Sequence, residues 1–333
     1  MKDPLAALVA KPAVDATIAG LKEEGVYDDG RQIQEFDGET VAIPIDSRPT
    51  ATPVDRVITQ DEPVYRRRTL RDRLAARGWD ESALETIPSS WSVLGSVIVV
   101  DFDGCVNPEA VGEALLDLHG TADTVVEIDS LAGDRRLPST RIVAGFGDTE
   151  TVHTEHGTKY AMDLARVMFS PGNKQERVHM GSVTEPSETV FDMFAGIGYF
   201  TLPIARAGAM VTATEINPEA FKFLVENARL NGVADRIDCY RDTCRAVDIT
   251  ADRVVMGHYD AASYLDAAIP ATRQGGLLHL HTTGSTDTIW ETAATRLTEA
   301  AHRHGRDVTI EDCRRIKPIG PGLIHGVIDC RLE

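Results

Sequence analysis

The sequence predicts an α/β chain whose C-terminal half is a parallel, doubly wound sheet, preceded by a smaller α/β domain. Three observations carry that expectation. From Glu188 onward, apolar runs of strand length alternate with amphipathic stretches of helix length. The first of these strands runs straight into a glycine-bearing turn, Asp192-Met193-Phe194-Ala195-Gly196-Ile197-Gly198. At 333 residues the chain also exceeds one ordinary hydrophobic core. Strands separated by helices pair in parallel, because parallel neighbours need a long crossover.

Three parts are expected along the chain. Residues 1–55 read as a small α+β module, with a helix over 14–24, a turn at Tyr27-Asp28-Asp29-Gly30 and an alternating strand over 41–45. Residues 56–165 read as a second α/β domain. There a helix from Pro63 carries Arg66, Arg67, Arg68, Arg71 and Arg73, followed by a strand over 96–102 and a helix from Pro108 to about His119. Strands over 124–128, 141–144 and 149–153 and a helix over 163–169 complete this part. Residues 166–333 hold the regular alternation: strands at 189–194, 210–215, 237–240, 253–256, 277–281, 308–313 and 326–331, with helices at 200–207, 218–231, 261–273 and 288–304.

Composition excludes several classes. The longest apolar run, Val97 to Val100, is far short of a membrane span, and the N-terminus has no signal-peptide pattern, so a cytoplasmic protein without membrane contact is expected. The five cysteines show no CxxC pair and no Cys/His ligand spacing, so no metal is expected. The net charge of −18 would repel nucleic acid on average. Lysine occurs only seven times and the basic side is nearly all Arg. That pattern fits a proteome adapted to high salt, as in a halophilic archaeon, where local Arg clusters matter more than the global charge.

The chemistry concentrates at three strand ends. Gly196 and Gly198 let backbone approach a ligand at a helix N-terminus, and their spacing is shorter than the dinucleotide fingerprint. Glu215 ends the next strand about twenty residues on, where a carboxylate accepts from ribose hydroxyls. Arg241-Asp242-Thr243 ends the third strand, where a carboxylate and a neighbouring N–H can read an adenine edge. Together they indicate adenosine without phosphate, hence S-adenosylmethionine in a class I Rossmann-like fold.

Asp192 to Phe200, Glu215-Ile216-Asn217-Pro218 and Phe221 to Asn231 resemble the catalytic domain shared by tRNA guanine-37 N1-methyltransferases and wyosine aminocarboxypropyltransferases. The resemblance extends back to about Arg135, through Thr151-Val152-His153 and Phe169-Ser170-Pro171-Gly172-Asn173. It implies cofactor contacts at Ser170, Arg177, Glu215, Asp242 and Thr243, and chemistry at Arg136 and Glu176. The methyltransferase branch tends to carry Asn-Leu-Pro after the fourth strand and Pro-Arg at 171–172. Met256-Gly257-His258-Tyr259 and Pro171-Gly172 are instead similar to the aminocarboxypropyl branch, which implies His258 and Tyr259 beside the nucleobase. The implied reaction moves the 3-amino-3-carboxypropyl group of S-adenosylmethionine, a co-substrate, to C7 of 4-demethylwyosine at position 37 of tRNA(Phe). The implied partner is the anticodon region of that tRNA, contacted by residues 56–165, with no obligate protein partner. Guanine-37 N1-methylation with Glu176 as base, and a non-catalytic tRNA-binding protein, stand as alternatives. The residues themselves leave Arg136 open as a phosphate ligand and Glu176 as a helix cap.

Overall fold

The computed structural model describes residues 4–65, 69–133 and 137–333, with the backbone alone for 129–132. They form two compact units that divide between Glu85 and Thr86, and not at residue 55 or 165. In the N-terminal unit β1 (Leu5–Ala10), β2 (Gln34–Glu35), β3 (Thr40–Ile45) and β4 (Arg56–Thr59) pair antiparallel in the order β2-β3-β1-β4. Alternate residues Ala7, Val9, Ile43 and Ile45 face Leu21 of helix α1 (Val14–Glu23), which gives the module its own core. Helices α2 (Leu70–Ala76) and α3 (Glu81–Leu84) complete the unit. The helix expected from Pro63 therefore begins only at Leu70. A capping box decides this, because the Thr69 hydroxyl accepts the Asp72 N–H while the Asp72 carboxylate accepts the Thr69 N–H. Arg66, Arg67 and Arg68 lie outside the described residues. Arg71 pairs with Glu81 and donates to the Leu84 carbonyl at 3.1 Å.

The second unit opens with β5 (Trp91–Leu94), β6 (Val97–Val100), β7 (Thr124–Ala132) and β8 (Leu137–Gly145), which form one sheet in that order. Helix α4 (Pro108–Leu118) crosses between the parallel strands β6 and β7. The strand expected over 96–102 is thus the second arm of a hairpin. A further hairpin joins β9 (Glu150–Glu155) and β10 (Thr158–Asp163). The helix expected over 163–169 does not form. The Asp163 carboxylate accepts the Thr149 hydroxyl (2.6 Å) and the Ala165 N–H (2.9 Å), which turns the chain as β10 ends. Leu164, Val167 and Phe169 then enter the core from a turn.

Helix α5 (Lys174–Val183) leads into the alternating region: β11 (Thr189–Asp192), α6 (Thr201–Ala207), β12 (Met210–Thr214), α7 (Pro218–Leu230), β13 (Ile237–Tyr240) and β14 (Ala251–Met256). It continues through α8 (Leu265–Ala271), β15 (Thr272–Ser285), α9 (Ile289–Arg303), β16 (Val308–Gly320) and β17 (Leu323–Leu332). The sheet order is β13-β12-β11-β14-β15-β17-β16. Its first five strands are parallel, and β17 runs antiparallel to both neighbours. Helices α5, α6 and α7 bury one face, with Leu202, Ile204 and Leu224 fully enclosed. Helices α8 and α9 bury the other, through Leu265, Ile269 and Leu297. Helix α8 stops at Ala271, short of the expected Arg273, where Thr272 starts β15. Strand order reverses beside β11, so the carboxyl ends of β11, β12 and β14 frame a crevice.

Candidate active site

That crevice holds a cavity of about 390 Å³. Its floor is the turn after β11. Gly196 has φ 58°, and a Cβ there would lie 2.4 Å from the Tyr199 ring, so only glycine fits. Beneath it Asp192 is fully buried, accepts the Thr201 hydroxyl at 2.6 Å and is pushed up to about 6 by burial. Glu215, just past β12, accepts the Gly196 N–H at 2.8 Å and the Asn217 N–H at 2.7 Å. Burial raises its carboxyl, while those two N–H groups oppose the rise. One side chain therefore both lines the cavity and pins the glycine turn. Asp242 and Thr243 border the cavity beyond β13, and the Thr243 N–H donates to the Asp242 carboxylate at 2.7 Å.

The opposite wall comes from the turn before α5. Ser170, Asn173 and Arg177 line the cavity there. Arg177 is 3% exposed and mostly committed: it donates to both Glu155 carboxylate oxygens (2.8 and 3.0 Å) and to the Ser170 carbonyl (3.1 Å). Its guanidinium also sits 4.9 Å from the centre of the Phe169 ring. It shapes the wall more than it offers donors. The Ser170 hydroxyl accepts from Lys317 of β16 at 2.5 Å. At the mouth, His258 lies 5.3 Å from Phe194, ring to ring, and its Nδ1 accepts the Asp260 N–H at 3.1 Å. Tyr264 meets the same Phe194 edge-on at 5.0 Å, with Arg245 over its other side at 4.3 Å.

Three sequence expectations are placed elsewhere. Glu176 does not line the cavity. It is 2% exposed, and Arg314 donates to both its oxygens (2.8 and 3.3 Å), so its carboxylate ties α5 to β16. It neither caps its helix nor faces a substrate. Tyr259 turns from the cavity to meet His325 at 4.9 Å. Arg136 lies outside the described residues. Asn173, Lys317 and Tyr264 went unnoticed in the sequence, since nothing in the spacing of Ser170 and Lys317 announces that they touch. Among the described residues no cluster of His, Cys, Asp and Glu could hold a metal ion, and no helix is long and apolar enough to cross a membrane.

Residues 70–149 match the TYW2 N-terminal domain, and residues 151–309 match the TRM5/TYW2 methyltransferase domain. A tRNA(Phe) (4-demethylwyosine(37)-C(7)) aminocarboxypropyltransferase of Pyrococcus horikoshii is 35% identical over 258 residues, 76% of this chain and 92% of that one. The chain belongs to the TRM5/TYW2 family. A second TRM5/TYW2 relative, the tRNA (guanine(37)-N(1))-methyltransferase Trm5b of Pyrococcus abyssi, is 30% identical over 74% of this chain and 76% of that one. The crystal structure of Pyrococcus horikoshii TYW2 in complex with MeSAdo superposes with a TM-score of 0.69 at 33% identity, covering 79% of this chain and 97% of that one. The Pyrococcus abyssi Trm5b structure reaches a TM-score of 0.75 at 27% identity and covers 99% of both. Both TRM5/TYW2 branches therefore share this fold, and the branch has to be read at the cavity.

Proposed function

We propose that this chain is a transferase that moves the 3-amino-3-carboxypropyl group of S-adenosylmethionine to C7 of 4-demethylwyosine at position 37 of tRNA(Phe). The reading is carried by the 35% identical aminocarboxypropyltransferase, of which the chain covers 92%, together with His258 at the cavity mouth where the methyltransferase branch carries Asn-Leu-Pro. The cavity fits the co-substrate. Glu215 offers a carboxylate to ribose hydroxyls, the Gly196 turn has no side chain to exclude the nucleoside, and Asp242 and Thr243 border the adenine side. Ser170 and Asn173 remain for the amino-acid arm.

The sulfonium supplies three electrophilic carbons, and the product depends on which is held in line with the nucleophile. In this transfer C7 bonds the γ-carbon, the γ-carbon–sulfur bond breaks, methylthioadenosine leaves with the electron pair, and C7 then loses its proton. The chain's own task is positioning. His258 and Phe194 border the space where a splayed base stacks, and the Glu215 turn fixes the adenosine end. Guanine methylation asks for more, because N1 must surrender a proton. Glu176, the candidate base for that step, is locked to Arg314.

We assign RNA contact to residues 56–165 and to Arg136, with the anticodon region as the ligand, and catalysis to 166–333. We read the −18 net charge as adaptation to a saline cytoplasm. The test gives the enzyme S-adenosylmethionine and tRNA bearing either the tricyclic base or guanine at position 37, and separates the by-products by chromatography. Methylthioadenosine with the tricycle alone is expected. S-adenosylhomocysteine with guanine-37 tRNA would overturn the assignment.

A further inference from the structure

Ser170 and Asn173 occupy capping positions, yet neither caps. Ser170 precedes the single turn Pro171–Asn173, and Asn173 precedes α5, and neither side chain takes a helix N–H. Both residue types ordinarily serve there. Instead both line the cavity. The Asn173 Oδ1 is shut off from solvent and has no hydrogen-bond partner. A buried acceptor left without a donor costs stability unless a ligand brings one.

The Ser170 hydroxyl is set from outside the turn. Lys317 reaches it from β16 with Nζ 2.5 Å from Oγ. A lysine amine has three donors and no acceptor, so Oγ must accept, and its own proton is turned away to donate elsewhere. Gly172 makes this reach possible. A Cβ at 172 would stand 2.9 Å from Lys317 Cδ and 3.5 Å from Nζ, so any side chain there pushes the lysine off the serine. The backbone at Gly172 is not left-handed, so the glycine answers to clearance and not to strain. An outward hydroxyl donor beside a lone carbonyl acceptor matches one chemical group, an α-amino acid, whose carboxylate takes the hydroxyl proton and whose ammonium supplies the missing donor.

We propose that Lys317 is a positioning residue which, through Ser170 and across Gly172, builds with Asn173 a clamp for the amino-acid end of the methionine arm. This deepens the aminocarboxypropyl reading and rests on it, since the clamped portion is the group transferred. Holding both charged ends of that portion fixes where its γ-carbon stands.

The test compares two ligands that share adenosine and differ in the arm. S-adenosylmethionine has the amino acid, and methylthioadenosine lacks it. Calorimetry on the full chain should find Lys317→Met binding S-adenosylmethionine about tenfold more weakly while its affinity for methylthioadenosine is unchanged. Gly172→Ala should reproduce that selective loss, and Lys317→Arg should recover part of it. Retained methylthioadenosine binding shows that the variants are folded. Equal losses for both ligands, or no loss for either, would overturn the clamp. The functional reading fails separately, if the unaltered enzyme releases no methylthioadenosine from tricycle-bearing tRNA.

Discussion

Replacing Glu215 by Ala removes two acceptors at once. Gly196 and Asn217 lose the carboxylate that takes their N–H groups at 2.8 and 2.7 Å, and the cavity loses its acceptor for ribose hydroxyls. A hydrogen bond to a charged group is worth about 1.5–3 kcal/mol net, and water entering the crevice replaces part of it, so a loss of ~1–3 kcal/mol in cofactor binding is expected. That corresponds to a dissociation constant roughly 5–150 times larger. Because both ligands carry the ribose, S-adenosylmethionine and methylthioadenosine should weaken by similar factors in calorimetric titrations, unlike the selective loss expected for Lys317→Met. Urea denaturation should show a further loss of about 1–3 kcal/mol of stability, from the unsupported glycine turn. Glu215→Gln, which keeps one acceptor, should fall between. Unchanged affinity for both ligands would remove Glu215 from the ribose and leave it only its structural bonds.

Three other outcomes follow from the same geometry. The Asp192 carboxyl is raised from 3.8 to about 6, so its neutral form is favoured in the fold. Its contribution is fully present below about pH 3.8 and is lost as pH rises through about 6, an amount of about 3 kcal/mol over two units. Asp192→Asn should therefore gain stability relative to the unaltered chain between pH 4 and 7 in urea titrations, and a pH-independent difference would refute this. His258→Ala should slow methylthioadenosine release more than it weakens S-adenosylmethionine binding, and equal losses would move the imidazole into the nucleoside pocket. Replacing Arg66, Arg67, Arg68 and Arg71 by Ser should lower tRNA affinity and flatten its salt dependence with cofactor binding intact. Because Arg71 is paired with Glu81, most of the effect should survive when only the first three are changed.

The doubly wound sheet was legible because each strand and helix announces its own period, and because Gly196, Glu215 and Asp242 stand at successive strand ends where the fold converges them. Local turn chemistry was harder to see. Asp163 looked like the start of a helix because Leu164, Val167 and Phe169 are apolar, yet its carboxylate closes a turn after β10. Glu176 misled for the opposite reason, since its partner Arg314 lies 138 residues on and no local pattern reveals that pairing. The Ser170–Lys317 bond spans 147 residues and was invisible on the same grounds.

The β16–β17 hairpin has a consequence for how the enzyme comes into being. Synthesis proceeds from the N-terminus, and folding follows as segments emerge. Everything that grips adenosine is translated by Thr243, whereas Lys317 and Arg314, which fasten the turn before α5, are among the last residues made. A nascent chain thus acquires a nucleoside pocket before it can grasp the amino acid. Full co-substrate affinity comes only with the closing hairpin, so a prematurely terminated product would hold the spent nucleoside better than the reactive one.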